Sequence, residues 1–202
     1  MKFKHLPLLL LAISSTAEAN LIDRGNGMIY DQDLNVTWLA DVNYAKTSGY
    51  DADGAMDWQT ANTWAADLTY GGYSDWRLPT TLTYNNGYNQ ISQELGHMFY
   101  TELGANSMAP IATRHNAANY GLFSNIQDYL YWSGTEYGDP NFAWYFGYPS
   151  GGYYPTSKSG QFYYAWAVRD GDVAVVPILP AVWLLGSGLL GLLSWKRRGN
   201  IR

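Results

Sequence analysis

Histidines and carboxylates are where catalysis would begin, and this sequence holds few histidines. Only His97 and His115 lie between the two hydrophobic ends, and neither stands beside a nucleophile motif. Glu94 and Glu102 would be separated by about 12 Å on one helix, too far for a glycosidase pair from that helix alone. Cysteine is absent, which excludes disulfides, thiolate nucleophiles and thiolate-bound metals. These residues favour a protein without an active site.

Two clusters offer hard oxygen atoms of the kind calcium takes: Asp31-Gln32-Asp33-Leu34-Asn35, and Asp51-Ala52-Asp53-Gly54 with Asp57. Neither fits the twelve-residue calcium loop. Counted from Asp31, Val36 holds the glycine position and Val42 the terminal glutamate position. Solvated turns are the better reading, so no metal or cofactor is expected. A distinctive surface candidate is Tyr145, Tyr148, Tyr153 and Tyr154, set among Gly and Ser, with Phe162-Tyr163-Tyr164 following. Flat rings in such loops give contact area at low entropy cost, which suits polysaccharide or protein binding.

The framework around these residues can be read from pattern. Gly27–Leu39 reads as two short strands around a polar turn. Asp57 is a candidate N-cap for a helix carrying Trp58, Ala61, Ala65 and Leu68, closed by Gly71-Gly72. A second helix is expected over Gln90–Leu103, with Ile91, Leu95, Met98, Phe99 and Leu103 on one face. Tyr129–Tyr137, Phe142–Tyr148 and Phe162–Arg169 are strand-like, with a hairpin turn at Gly138-Asp139-Pro140-Asn141. Two helices between a strand pair and an antiparallel meander predict an α+β domain. Trp76 and Leu78 are expected in the core, with Pro79 ending their strand and Arg77 paired to carboxylates. Trp132, Trp144 and Trp166 are expected on three neighbouring strands as a core cluster rather than a sugar platform.

The ends carry a different pattern. Lys2 and Lys4 precede the apolar run Leu6–Ile13, and Ala17-Glu18-Ala19 places small residues where a signal peptidase reads them. Residues 1–19 are therefore expected to be a signal peptide, and 20–172 an extracytoplasmic domain. Within 20–172, sixteen acids against six bases leave a formal charge of −10. That charge excludes a nucleic-acid partner. Residues 173–202 read as a transmembrane tail, with an uncharged stretch closed by Lys196-Arg197-Arg198 that keeps the C-terminus cytoplasmic. Its regular helix from Pro180 to Trp195 would extend only about 24 Å, against a hydrocarbon core of about 30 Å.

Val176-Pro177-Ile178-Leu179-Pro180-Ala181, the Gly-rich hydrophobic run and the basic cluster together resemble the PEP-CTERM class of sorting signals, in its VPLPA-like variant. The name-giving Pro-Glu-Pro is absent. The resemblance implies recognition and removal of the tail by an exosortase-type transpeptidase. Gly72-Tyr73-Ser74-Asp75-Trp76-Arg77-Leu78-Pro79-Thr80, Tyr131-Trp132-Ser133-Gly134-Thr135-Glu136, Ala143-Trp144-Tyr145-Phe146 and Ala165-Trp166-Ala167-Val168-Arg169 resemble the Lcl C-terminal domain family, named from a collagen-like bacterial adhesin. This likeness implies a C-type-lectin-like fold with Asp75, Trp76, Arg77, Leu78, Pro79, Trp132, Trp144, Trp166 and Arg169 as structural motif residues. Arg77–Thr80 is also similar to a segment of formylglycine-generating enzymes, but their chemistry uses cysteines that this chain lacks. Gly138–Asn141 resembles the Glu-Pro-Asn sugar motif of C-type lectins without its Trp-Asn-Asp companion. The expected function is that of an exported surface or matrix protein whose non-enzymatic domain binds extracellular polysaccharide or a partner protein. The alternative is a polysaccharide hydrolase at the cell surface.

Overall fold

The structure is a computed structural model that describes residues 21–82, 86–113 and 115–173. The signal-peptide reading of 1–19 and the sorting-signal reading of Val176–Arg198 lie outside the described residues. Among the described residues, no helix is long and apolar enough to cross a membrane. The chain divides into two units, 1–172 and 173–202, and every described helix and strand belongs to the first.

The fold is mixed α and β. Strands β1 (Leu21–Asp23), β2 (Met28–Asp31) and β3 (Val36–Leu39) form an antiparallel meander. Asn35 closes the β2–β3 turn at φ +53°, a left-handed position that asparagine tolerates. The last strand, β10 (Val168–Asp170), returns to pair with β3, so the order of this sheet is β1-β2-β3-β10. Between them lie α1 (Tyr44–Thr47), β4 (Ala55–Met56) and α2 (Trp58–Asp67). Asp57 caps α2 by accepting from the Thr60 N–H at 2.8 Å. Trp58, Ala61, Trp64 and Ala65 bury one face of that helix.

The second sheet has six strands in the order β4-β9-β6-β7-β8-β5. They are β5 (Gly87–Tyr88), β6 (Leu130–Glu136), β7 (Phe142–Gly147), β8 (Gly152–Ser157) and β9 (Tyr163–Tyr164), with β4 at the edge. All pairings are antiparallel except β6 with β9. Its meander is therefore β6-β7-β8, and the third strand falls where the sequence reads as a Gly/Ser loop. Pairing to β7 over six residues overrides that local composition. Pro155 is accommodated because β5 pairs only with Gly152 and Tyr153, leaving the rest of the outer edge open. The expected strand Phe162–Arg169 is instead split between the two sheets, β9 joining one and β10 the other.

The second helix also departs from expectation. Gln90–Gln93 form a turn, Ile91 is 57% exposed, and α3 covers only Glu94–His97 before a π-helical turn over Met98–Glu102. Gln93 explains the late start. Its side-chain oxygen accepts from the Thr81 hydroxyl and the Leu82 N–H, holding Gln93 extended before the helix. Ala117–Tyr120 makes a last short helix, α4.

Cross-strand register sorts the aromatic core. Tyr131, Phe146 and Tyr153 are mutual neighbours across β6, β7 and β8, so they share one sheet face, and all are fully buried. Phe99 from the π turn packs against Phe146 at 5.4 Å and Tyr148 at 5.3 Å between ring centres. Trp166 lies between β9 and β10, where its ring meets Trp38 at 4.6 Å and Phe123 at 5.3 Å. Its indole N–H donates to the Leu39 carbonyl at 2.8 Å, tying the two sheets together.

Candidate functional site

The opposite face of the six-stranded sheet carries Trp132, Tyr145 and Tyr154, again cross-strand neighbours. Trp132 is buried under its own contacts: its N–H donates to the Met56 carbonyl and its ring lies 4.6 Å from Tyr163. The row then continues outward. Tyr163 meets Tyr145 at 5.0 Å, Tyr145 meets Tyr154 at 5.9 Å, and Tyr154 meets Tyr88 of β5 at 6.4 Å. Tyr163 is buried, Tyr145 and Tyr154 are half-buried, and Tyr88 is 50% exposed. Gly152 makes room for this row, since a Cβ there would meet the Tyr154 hydroxyl at 2.8 Å. Tyr145, Tyr154 and Tyr163 stay neutral at physiological pH. Burial first, and then Tyr88, push Tyr154 up to about 12, while Tyr145 and Tyr163 rise chiefly through burial. Neutral phenols both donate and accept, as sugar hydroxyls require.

Only half of the tyrosine surface expected from the sequence is present. Tyr148 and Tyr153 are fully buried, because Tyr153 occupies the inward face of β8 and Tyr148 packs against Phe99 and Tyr131. Tyr153 donates nothing to solvent; its hydroxyl accepts from the Gly96 N–H at 3.1 Å. Tyr88, outside the expected set, takes their place on the surface because two residues of β5 extend the sheet. The three tryptophans do not form one cluster: Trp144 on β7 packs with Tyr137, and Trp166 lies outside the strands.

The family-like motif around Arg77 is held by ion pairs. Arg77 Nη1 and Nη2 donate to both Glu94 carboxylate oxygens at 2.8 Å, and the guanidinium also meets Asp170. Glu94 in turn accepts from the Thr80 N–H. Burial opposes the Arg77 charge, but Glu94 and Asp170 more than offset it and raise its pKa. Trp76 and Leu78 are buried on either side, and Pro79 is buried with its carbonyl accepting from Ser133 and Gly134. Arg169 lies over the Tyr73 ring and donates to both Asp75 oxygens at 2.8 and 2.9 Å.

That second pair gives a pH dependence. The hydrogen bonds from Arg169 hold the Asp75 carboxyl below its ordinary 3.8. A depressed carboxyl contributes stability above its unfolded pKa and loses it as pH falls through the folded one. Asp75 is 56% exposed, so the effect is modest. Urea melts of wild type and Asp75→Asn are expected to differ at pH 6 and to draw together as pH falls below the ordinary carboxyl range. A gap that does not narrow with falling pH would mean that it does not arise from the ion pair.

A third constellation joins the Asp31–Asn35 turn, weighed above for calcium, to a histidine and a glutamate from another part of the chain. Asp31, at the end of β2, is fully buried rather than solvated, and it faces His97, the last residue of α3, and Glu102, the last of the π turn that follows. His97 Nε2 lies 3.1 Å from Glu102 Oε1, 4.0 Å from Asp31 Oδ1 and 3.9 Å from Asp33 Oδ2. The helix type creates the first of these contacts. Residues five apart diverge on an α-helix but nearly align on a π turn, whose bond here runs from the Leu103 N–H to the Met98 carbonyl. Gly96 lets the segment pack closely, since a Cβ there would meet the Gln90 carbonyl at 2.2 Å. Burial raises the Asp31 pKa, the Leu34 N–H opposes that, and Glu102 adds to the rise. Burial alone would lower that of His97, but Glu102 and Asp31 reverse the shift and raise it. His115 takes no part: its ring stacks on Tyr120 and its Nδ1 meets the Ile111 carbonyl. Asp139 and Asn141 close the β6–β7 hairpin on each other, with Asp139 accepting from the Asn141 N–H.

The Lcl C-terminal domain family matches residues 27–169, which take in the tyrosine row, the buried cluster and both arginine ion pairs. The chain belongs to this family. All four motifs from Gly72 to Arg169 fall inside the matched Lcl C-terminal domain, and they build its frame more than its surface. Trp132 and Trp166 spend their N–H groups on backbone carbonyls, and Arg77 and Arg169 spend theirs on carboxylates. No curated protein and no solved structure matches the chain.

Proposed function

We propose that this Lcl C-terminal domain is C-type-lectin-like in architecture and serves as a non-enzymatic binding module for extracellular polysaccharide. The observation that carries the reading is the row Tyr163–Tyr145–Tyr154–Tyr88, an aromatic strip across one sheet face that ends in an exposed ring. Sugar rings stack on aromatic faces, and Tyr145, Tyr154 and Tyr88 offer that contact with hydroxyls alongside, backed by the buried Tyr163 ring. A domain charge of −10 repels anionic polymers, so the favoured ligand is a neutral glycan. The non-enzymatic reading is supported by burial: Asp31, His97 and Glu102 lie where a polymer cannot reach them. The module would be exported through the signal peptide at 1–19. It would be held in the membrane by 173–202 and released to the surface or matrix when an exosortase-type enzyme cuts near Pro177–Ala181.

The test is a glycan array probed with the whole chain in detergent, run beside hydrolysis assays on the same glycans across pH. Binding to neutral glycans without cleavage is the expected result. Cleavage of any bound glycan would replace this reading with the hydrolase.

A further inference from the structure

We propose that Asp31, His97 and Glu102, with Asp33 at the rim, form a site for one first-row divalent cation of the zinc type. The ligand atoms of Asp31, His97 and Glu102 lie within 4.8 Å of one another, although Asp31 comes from a hairpin far in sequence from α3 and the π turn that hold the other two. Two of the carboxylate oxygens, Asp31 Oδ2 and Glu102 Oε2, are buried without a hydrogen bond of ordinary geometry; Asp31 also senses the Trp38 indole N–H, which is itself left without a well-formed hydrogen bond. Their sister oxygens are engaged: Asp31 Oδ1 accepts from the Asp33 and Leu34 N–H groups, and Glu102 Oε1 meets His97. A buried carboxylate oxygen left bare is costly, and a cation is the partner that would satisfy two at once.

Charge and geometry agree on the class of ion. Two fully buried carboxylates beside a single imidazole retain net negative charge even when the imidazole is protonated, and Asp33 adds to it. One nitrogen with carboxylate oxygens suits zinc or a neighbouring transition ion, whereas calcium takes six to eight oxygens. Bonds of about 2.1 Å in a tetrahedral site put ligand atoms roughly 3.4 Å apart. His97 and Glu102 already stand at 3.1 Å, and Asp31 Oδ1 and Asp33 Oδ2 stand at 4.0 and 3.9 Å from His97 Nε2. A contraction of roughly half an ångström brings one oxygen each of Asp31 and Asp33 to that spacing from His97 Nε2, and Asp31 Oδ2 and Glu102 Oε2 are the unengaged second oxygens of the same carboxylates. Entry is possible from Asp33, whose side chain is 42% exposed. The ion would pin the β2–β3 hairpin to the π turn in a chain that has no disulfide to do so. The Asp31–Asn35 turn alone fits no calcium loop, and the histidine and glutamate that complete this site come from elsewhere in the chain.

The whole chain, stripped with chelator in detergent, is titrated with zinc, with cobalt as a spectroscopic probe and with calcium as the contrast. Zinc is expected to raise the melting temperature by about 5 °C or more, and calcium to leave it unchanged. Cobalt should give a visible absorption band saturating at one equivalent. Glu102→Gln should weaken cobalt binding by about 100-fold, and Asp33→Asn, which leaves the core intact, by about tenfold. If wild type shows neither the zinc shift nor the cobalt band, the proposal fails. It fails equally if Asp33→Asn and Glu102→Gln, or the former alone where the latter does not fold, bind cobalt as wild type does.

Discussion

Replacing Trp166 by alanine is expected to lower the stability of the domain by about 4 kcal/mol, near the upper end for a single core truncation. The ring is fully buried and touches Trp38, Phe123 and Tyr131, so alanine leaves a cavity that three other rings must line. The indole N–H is also lost, and the Leu39 carbonyl is left without it. Because Trp166 sits where the chain crosses from β9 to β10, the damage falls on the junction between the two sheets. For a domain of this size the loss corresponds to a melting temperature lower by about 8–16 °C. Trp166→Phe restores most of the volume but not the hydrogen bond, so about 1–2 kcal/mol should be missing. Thermal and urea melts of the two variants check this. A loss under about 1 kcal/mol for the alanine variant would show that the two sheets are not joined there.

What the sequence made legible was local. The cap at Asp57, the turn at Asp31–Asn35 and the hairpin at Asp139–Asn141 depend on side chains bonding to nearby backbone, and short-range pattern reads such contacts well. β8 was illegible because Gly-Gly-Tyr-Tyr-Pro has loop composition, and only its partner β7 makes it a strand. That miss propagated to the site, since a loop exposes both Tyr153 and Tyr154 whereas a strand turns one of them inward. The Asp31–His97–Glu102 cluster was hidden for two reasons. A π turn cannot be told from an α-helix by hydrophobic spacing, and the third member comes from a hairpin more than sixty residues away. The signal that could have pointed to it is the pairing of a histidine with a glutamate five residues on. Sequence offers no reason to read that spacing as contact.

The second large effect belongs to the tyrosine row. Changing Tyr145 and Tyr154 together to alanine removes the two middle rings and leaves Tyr163 and Tyr88 too far apart to act as one strip. Both rings are half-buried on an open face, so the expected stability cost is about 1–2 kcal/mol, and the domain should remain folded. Each stacked ring is worth about 1 kcal/mol or more of contact, which together sets an expected loss in glycan affinity of at least tenfold. Tyr148→Phe serves as the contrast: its hydroxyl is buried without a partner, so removing it should change neither binding nor fold. The decisive measurement is the affinity of the whole chain for the neutral glycan selected on the array, compared across wild type, Tyr148→Phe and the Tyr145/Tyr154 double variant. A glycan-binding tyrosine row requires equal affinity for the first two and at least a tenfold loss for the third, with the melting transition still cooperative. Unchanged affinity in a folded double variant would contradict it.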